Sequence, residues 1–280
     1  MKSIFPRTAV IICWIITTGW LIRYEAYPEY FTHSLSGYSS LLPDELLSID
    51  SWMKISFKDA HIGYSHTSME VNDANPSEYY TIRNRIQVNF KFMNKLNDVM
   101  LLTTANLNKM RHLQAFSASF SSQDYMINIT GKPLSGKLFD VNIKNGGNDQ
   151  RMTIEIPDDA IFYFPMTDIN LKMMKPDKSI NIRILDPISL RKNNMQIKYI
   201  RKDKLKISGN YCKTTILSFG YQGTEILTWV DNGGSIVRQE IAQGLSMEKC
   251  TPEEAFAAIR DASNADDILN PIFGTFLKGS

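Results

Sequence analysis

Cysteine and histidine are scarce in this chain. Three cysteines and four histidines in 280 residues cannot supply a conventional Cys/His zinc cluster, and no two cysteines stand at Cys-x-x-Cys spacing. No metal site and no cofactor are therefore expected. Surplus charge is lacking as well: 31 Lys and Arg against 29 Asp and Glu leave a formal +2, far from the basic excess of a dedicated nucleic-acid binder, so nucleic acid is not an expected partner. A Gly-x-x-x-x-Gly-Lys-Ser/Thr phosphate loop and a Gly-x-Ser-x-Gly nucleophile elbow are both missing. With no catalytic motif, the chain does not read as an enzyme. What remains is 43% hydrophobic and 21% charged, an ordinary globular balance that argues against wholesale disorder.

Long apolar runs are also rare, with one exception. Lys2 and Arg7 precede an uncharged stretch from Thr8 to Ile22, closed by Arg23. The run is short for the roughly 20 residues of a spanning helix, but Ile4 and Phe5 lengthen it and the flanking cations can snorkel. Gly19-Trp20-Leu21-Ile22 is a poor cleavage site, and Cys13 follows Val10-Ile11-Ile12 rather than the small residues that lipoprotein processing needs. An uncleaved single-pass anchor is preferred over a cleaved signal or a buried soluble helix. Lys2 and Arg7 favour a cytoplasmic N-terminus. The remainder is then expected outside the cytoplasm, where Cys212 and Cys250 are the candidate disulfide pair.

Residues 24–50 carry Pro, Gly and Ser punctuation and read as a spacer, with a short helix from Pro43 to Ile49. From Trp52 the dominant period is two. Ile82, Ile86, Val88, Phe90 and Phe92 alternate with Arg83, Arg85, Gln87, Asn89 and Lys91, with Asn84 interrupting the apolar side. The same alternation runs through Met152, Ile154 and Ile156 and through Ile180, Ile182 and Ile184. One-sided alternation belongs to antiparallel sheet, since parallel strands covered by helices are continuously apolar.

Turn clusters at Asn72–Pro76, Asn94–Asp98, Ser121–Asp124, Lys132–Gly136, Asn145–Asn148 and Asp231–Gly234 cut the chain into strand lengths. These features predict a mainly β fold: one large curved antiparallel sheet or half-barrel over 51–250, after an anchor at 1–23 and a spacer at 24–50. Phe164 to Lys178 is a short helix or loop across one end. Thr251-Pro252-Glu253-Glu254 opens a short C-terminal helix within 251–280, running to about Arg260 or Ala262, with a tail to Ser280.

Candidate chemistry is thin. His61 and His66 stand five apart, which puts them on opposite faces of a regular strand, so a shared site would need a bulge. They carry the alternative of an unrecognised hydrolase. His33 falls in the spacer and His112 at a turn. Charge is sorted along the chain: eleven Lys or Arg face three Asp between Lys172 and Lys206, while Glu240 to Asp267 holds seven acids and two bases. Lys198, Arg201, Lys202 and Lys204 are the basic-face candidates. They are either a solvated face or an attraction for lipid headgroups, an acidic polymer or an acidic protein.

Three segments together carry a resemblance: Trp52-Met-Lys-Ile-Ser-Phe-Lys-Asp-Ala-His-Ile-Gly-Tyr-Ser-His66, the turn Gly131-Lys-Pro-Leu-Ser-Gly136, and Thr224 to Glu240 with Trp229, Asp231, Gly233 and Gly234. They resemble the extracytoplasmic β-domain that accompanies bacterial transglutaminase-like proteins, and more distantly the DUF3108 and LolA/LolB-like lipoprotein-carrier architectures. The likeness covers about residues 52–255. It implies an architectural hairpin at Trp229–Gly234 and a concave sheet able to hold acyl chains. A transglutaminase-like domain would have to follow the β-domain, where only a helix and tail remain, so no catalytic residue is carried over. The resemblance implies a single-pass protein of a bacterial inner membrane with its β-domain in the periplasm or extracellular space, a membrane-anchored binding or accessory protein of the cell envelope with a lipid or lipidated ligand. The alternatives are a scaffolding subunit for another envelope protein and the hydrolase.

Overall fold

A computed structural model describes residues 12–14, 17–19, 21, 33–34, 37–38, 48–92, 95–123, 125–162, 179–207, 209–221, 223–241 and 244–262. Among the described residues, sixteen strands form one sheet. In chain order they are β1 (His33–Ser34), β2 (Ile49–Phe57), β3 (Ala60–Val71), β4 (Tyr80–Phe92), β5 (Lys95–Leu107), β6 (Leu113–Ser122), β7 (Tyr125–Ser135), β8 (Leu138–Asn145), β9 (Asn148–Glu155), β10 (Ala160–Phe162), β11 (Ser179–Leu185), β12 (Lys192–Ile207), β13 (Asn210–Tyr221), β14 (Thr224–Asp231), β15 (Ile236–Ile241) and β16 (Leu245–Lys249), followed by helix α1 (Pro252–Ala262).

The spatial order is β1, β11 to β16 in sequence, then β2 to β9, with β10 also on β11. Every neighbour pair from β11 through β16 and β2 to β9 is antiparallel. Among the described residues, only the short edge strands β1 and β10 run parallel to β11. The mainly β, antiparallel expectation is thus met. The two parallel edges are an addition that alternation does not encode.

The sheet curls. Phe116 on β6 and Phe162 on β10 lie far apart in the strand order, yet their rings are 4.8 Å apart. One buried apolar cluster draws on inward residues of strands all along the sheet, among them Phe57, Leu107, Val141, Ile184, Phe219 and Met247. Burying these side chains against each other supplies the driving force for curling.

Two glycines serve close approach. A Cβ on Gly63 would collide with the Gln87 carbonyl oxygen, and one on Gly131 would strike the Phe116 ring. The Asn145–Asn148 turn places Gly146 and Gly147 at φ 53° and 95°, the left-handed region glycine tolerates. Lys58 and Asp59 take similar angles, 45° and 69°, without being glycine.

The helix starts as its residues require. The Thr251 Oγ1 accepts from the Glu254 N–H at 3.3 Å, while the Glu254 carboxylate accepts from the Thr251 N–H at 3.0 Å, a reciprocal capping box. Helix α1 lies on the outer face of β2 and β3, where Phe256 packs against Trp52 and Tyr64 with ring centroids 5.3 and 5.4 Å apart.

Two pieces of the predicted spacer belong to the fold: β1 pairs with β11, and Tyr38 is buried in the core. Ile49, assigned to a short helix by sequence, begins β2, and Ser48 before it is not helical; residues 43–47 of that helix, the connection at 163–178 and the tail from 263 lie outside the described residues. The predicted transmembrane helix is not shown. Ile12–Trp14, Thr17–Gly19 and Leu21 are helical, but no helix among the described residues is long and apolar enough to cross a membrane. The rest of that segment lies outside the description.

Candidate functional site

The two ends of the sheet meet at a seam. β9 ends the strand order on one side and β11 carries β10 and β1 on the other, so residues 156–159 lead the chain from one edge to the other. This link is tied on both sides. The Ile156 N–H donates to the Lys137 carbonyl at 2.8 Å, and Asp158 pairs with Lys137 at 3.4 Å. Across the seam, Arg183 Nη1 on β11 donates to both oxygens of Asp159 at 2.8 and 3.0 Å. Beneath it, the Tyr38 hydroxyl donates to the Phe162 carbonyl and accepts from the Phe162 N–H, each at 3.0 Å. Burial raises the Tyr38 phenol far above its ordinary pKa, opposed by its hydrogen bond to the Phe162 backbone, which keeps it a neutral donor.

Above this link lies a cleft of about 410 Å³ lined by Arg111, His112, Lys137, Pro157, Asp158, Asp159 and Arg183. Arg111 and His112 come from the tight turn after β5, where Asn108 Oδ1 accepts from the His112 N–H at 3.0 Å and Arg111 takes φ 64°. Three cationic side chains and two carboxylates line it. Such a mouth suits an anionic group. None of its residues except His112 was singled out by sequence. They come from four separate segments and form no motif; Asp158-Asp159 after Pro157 reads only as a turn.

The inner face also carries a polar band. Asn84, whose place in the apolar alternation stood out, is buried and donates to Thr67 Oγ1 at 2.8 Å and Ser65 Oγ at 3.1 Å. Its Oδ1 and the Ser51 Oγ have no hydrogen-bond partner among the described residues.

His61 and His66 do share a face. The register between β2 and β3 shifts at Ile55/Ser56, leaving Ile62 as an extra residue, and this bulge turns both histidines outward. They do not form one site. His66 stacks on Trp52 at 3.8 Å and its Nε2 lies 2.6 Å from Asp50 Oδ1, whereas His61 Nδ1 lies 2.9 Å from Ser56 Oγ. The carboxylate and hydroxyl partners of an acid–base relay are divided between two histidines. No group of three metal-ligating side chains occurs among the described residues.

The basic-face candidates are split by a second bulge, at Ile200 between Tyr199 and Arg201. Lys198 and Arg201 oppose Ser218 and Ile216 on the convex side, while Lys202 and Lys204 oppose Thr215 and Lys213 on the concave side. Trp229 is on the convex face with Ile216 and Val237, and its indole N–H donates to Asp203 Oδ2 at 3.1 Å. That bond, with a second from the Lys204 N–H, holds the Asp203 carboxyl below its ordinary pKa. In the following turn, Asp231 Oδ1 accepts from the Gly233 and Ser235 N–H groups at 2.8 and 3.0 Å, and Gly234 takes φ 88°.

The candidate disulfide is corrected: Cys212 and Cys250 are both free thiols. Cys212 is on β13 and Cys250 just beyond β16, three strand spacings away in the sheet. At ~4.8 Å per spacing this exceeds the ~7 Å Cα limit of a disulfide.

Comparison of the chain with family models, curated proteins and solved structures finds no match.

Proposed function

We propose that the chain is a membrane-anchored extracytoplasmic binding or accessory protein of a bacterial envelope, taking an amphipathic ligand, a lipid or a lipidated protein, with an anionic head and an apolar tail. The observation that carries this reading is the seam. Among the described residues, an apolar interior ends at two strand edges that are not paired with each other, under a cleft that carries Arg111, Lys137 and Arg183. The seam offers a tail a route toward apolar surface and the cleft offers a head its counter-charge. Met152, 45% exposed on the inward side of β9 opposite the fully buried Val141, forms an apolar lip. Ile12, Trp14 and Leu21 are exposed in the N-terminal helical residues, and such side chains are suited to a bilayer.

The test is extraction of the purified full chain in mild detergent followed by mass spectrometry of retained lipid. The expected result is stoichiometric retention of an anionic lipid, reduced by Met152→Glu and by Arg183→Glu. Folded protein with no retained lipid would overturn the reading. The scaffolding alternative has one supporting observation, the exposed edge strand β9, which could pair with a strand of another protein. In-cell crosslinking to one reproducible protein neighbour through β9 would favour it.

A further inference from the structure

Among the described residues, β12 runs on beyond its pairing with β11, which ends at Lys198, with β13 as its one strand partner. Likewise β13 meets β14 only from Thr214 onward. The stretch from Lys204 to Lys213 therefore forms a two-stranded arm that projects past the described strands on both sides, while Tyr199–Asp203 extend past β11 alone. The bulge at Ile200 sorts its charges. Lys202, Lys204 and Lys206 recur at every second position on the concave face, and Lys213 stands directly opposite Lys204. All four are exposed. The fifth member is Tyr211, opposite Lys206 and 76% exposed, with Lys206 Nζ 6.0 Å from its ring centre. Asp203, the one acid between Lys192 and Lys213, is on the other face, bonded to Trp229. Among the described residues none of the four lysines has an acidic partner. Alternate residues are ~7 Å apart along a strand, and like charges set opposite each other destabilise a sheet. An external anion would relieve this repulsion.

We infer that this strip docks on the anionic phospholipid headgroups of the leaflet next to which the domain is held. Its composition separates a surface from a shaped partner. All four cations are lysine, a compact point charge without the planar fork that makes arginine selective for a single carboxylate or phosphate. A leaflet presents negative charge as a plane that needs no register, and an exposed tyrosine is a side chain favoured at headgroup depth. The inference rests on the membrane reading above but not on the interior ligand.

The experiment is lysine acylation of the full chain, quantified residue by residue by mass spectrometry, on vesicles of phosphatidylcholine alone and with phosphatidylglycerol added. Lys202, Lys204, Lys206 and Lys213 should label ~3-fold more slowly on anionic vesicles, and the protection should vanish at 1 M salt, where the Debye length is ~3 Å. Lys198 on the opposite face should label equally on both. The fourfold variant Lys202→Glu/Lys204→Glu/Lys206→Glu/Lys213→Glu should lose the preference for anionic vesicles, whereas Lys198→Glu/Arg201→Glu should keep it. Equal labelling of the four lysines on both vesicles overturns the strip, even if the chain still floats with each through its N-terminal segment. Protection brought about by an acidic protein instead of vesicles also overturns it.

Discussion

The sheet around β2 and β3 is covered on both faces, whereas the sheet around β9 is covered on neither. In the first region Met53, Ile55, Phe57 and Met69 enter the core while Trp52 and Tyr64 lie under Phe256 of α1. In the second, seven of the eight residues of β9 are exposed and only Ile154 is half-buried. Both regions share one uninterrupted ladder of backbone hydrogen bonds. The ladder therefore does not set local stability; the apolar area removed from water on each side of it does. The thinly covered region is also where the cleft and its charges collect. Low cohesion and candidate binding surface thus coincide at the seam.

Substitutions can widen or close this contrast. The largest effect is expected from Phe57→Ala, a fully buried ring in the covered region, at ~3–5 kcal/mol in urea unfolding. Met152→Ala on β9 should stay within ~0.5 kcal/mol, and a comparable loss at both would erase the distinction. Gly63→Ala should cost about 2–3 kcal/mol, because its new methyl meets the backbone of Gln87 and Val88 rather than a yielding side chain. Tyr38→Phe leaves the N–H and the carbonyl of Phe162 without the hydroxyl partner, at about 1–3 kcal/mol. Faster protease cleavage near residues 156–162 than in β2 or β3 would place that loss at the seam. Asp159→Asn removes an exposed ion pair with Arg183 and should cost no more than ~1 kcal/mol, disappearing in high salt.

The smallest effect is on reactivity. Burial, reinforced by Glu254, pushes the Cys250 thiol up to about 11. Only the thiolate reacts, so labelling of Cys250 by a disulfide reagent at pH 8 should be slow and rise ~10-fold per pH unit until about pH 11. The raised value has a linked sign. The folded chain holds this proton more tightly, so the contribution to stability is complete below the unfolded pKa near 9 and is lost as pH rises toward 11. Flat labelling from pH 8 to 10 would contradict burial of that thiol.

Much of the architecture was legible because its causes are local. Alternation from Ile82 to Phe92 reports a strand with one face on the core, and Asn145-Gly-Gly-Asn148 and Asp231 to Gly234 report reversals through residues that tolerate or cap them. The capping box of α1 is written in Thr251 and Glu254. What was not legible comes from register. A single extra residue at Ile62 or Ile200 turns every later side chain to the other face, which reunited His61 with His66 on one face and divided Lys198 and Arg201 from Lys202 and Lys204. The parallel pairing of β1 and β10 with β11 leaves no period in the sequence. The cleft was invisible for a further reason: Arg111, Lys137, Asp159 and Arg183 become neighbours only because the sheet curls, and nothing in their local sequence differs from that of solvated turns.

Hydrogen exchange of the full chain, resolved by NMR at single amides, separates a curled sheet left unpaired at the seam from one closed there. Slow exchange is expected throughout β2 and β3, and on β9 an alternation between protected amides that face β8 and fast amides that face the seam. Uniformly slow amides along β9, matching those of β3, would mean that its outer edge is paired and would rule out an open seam.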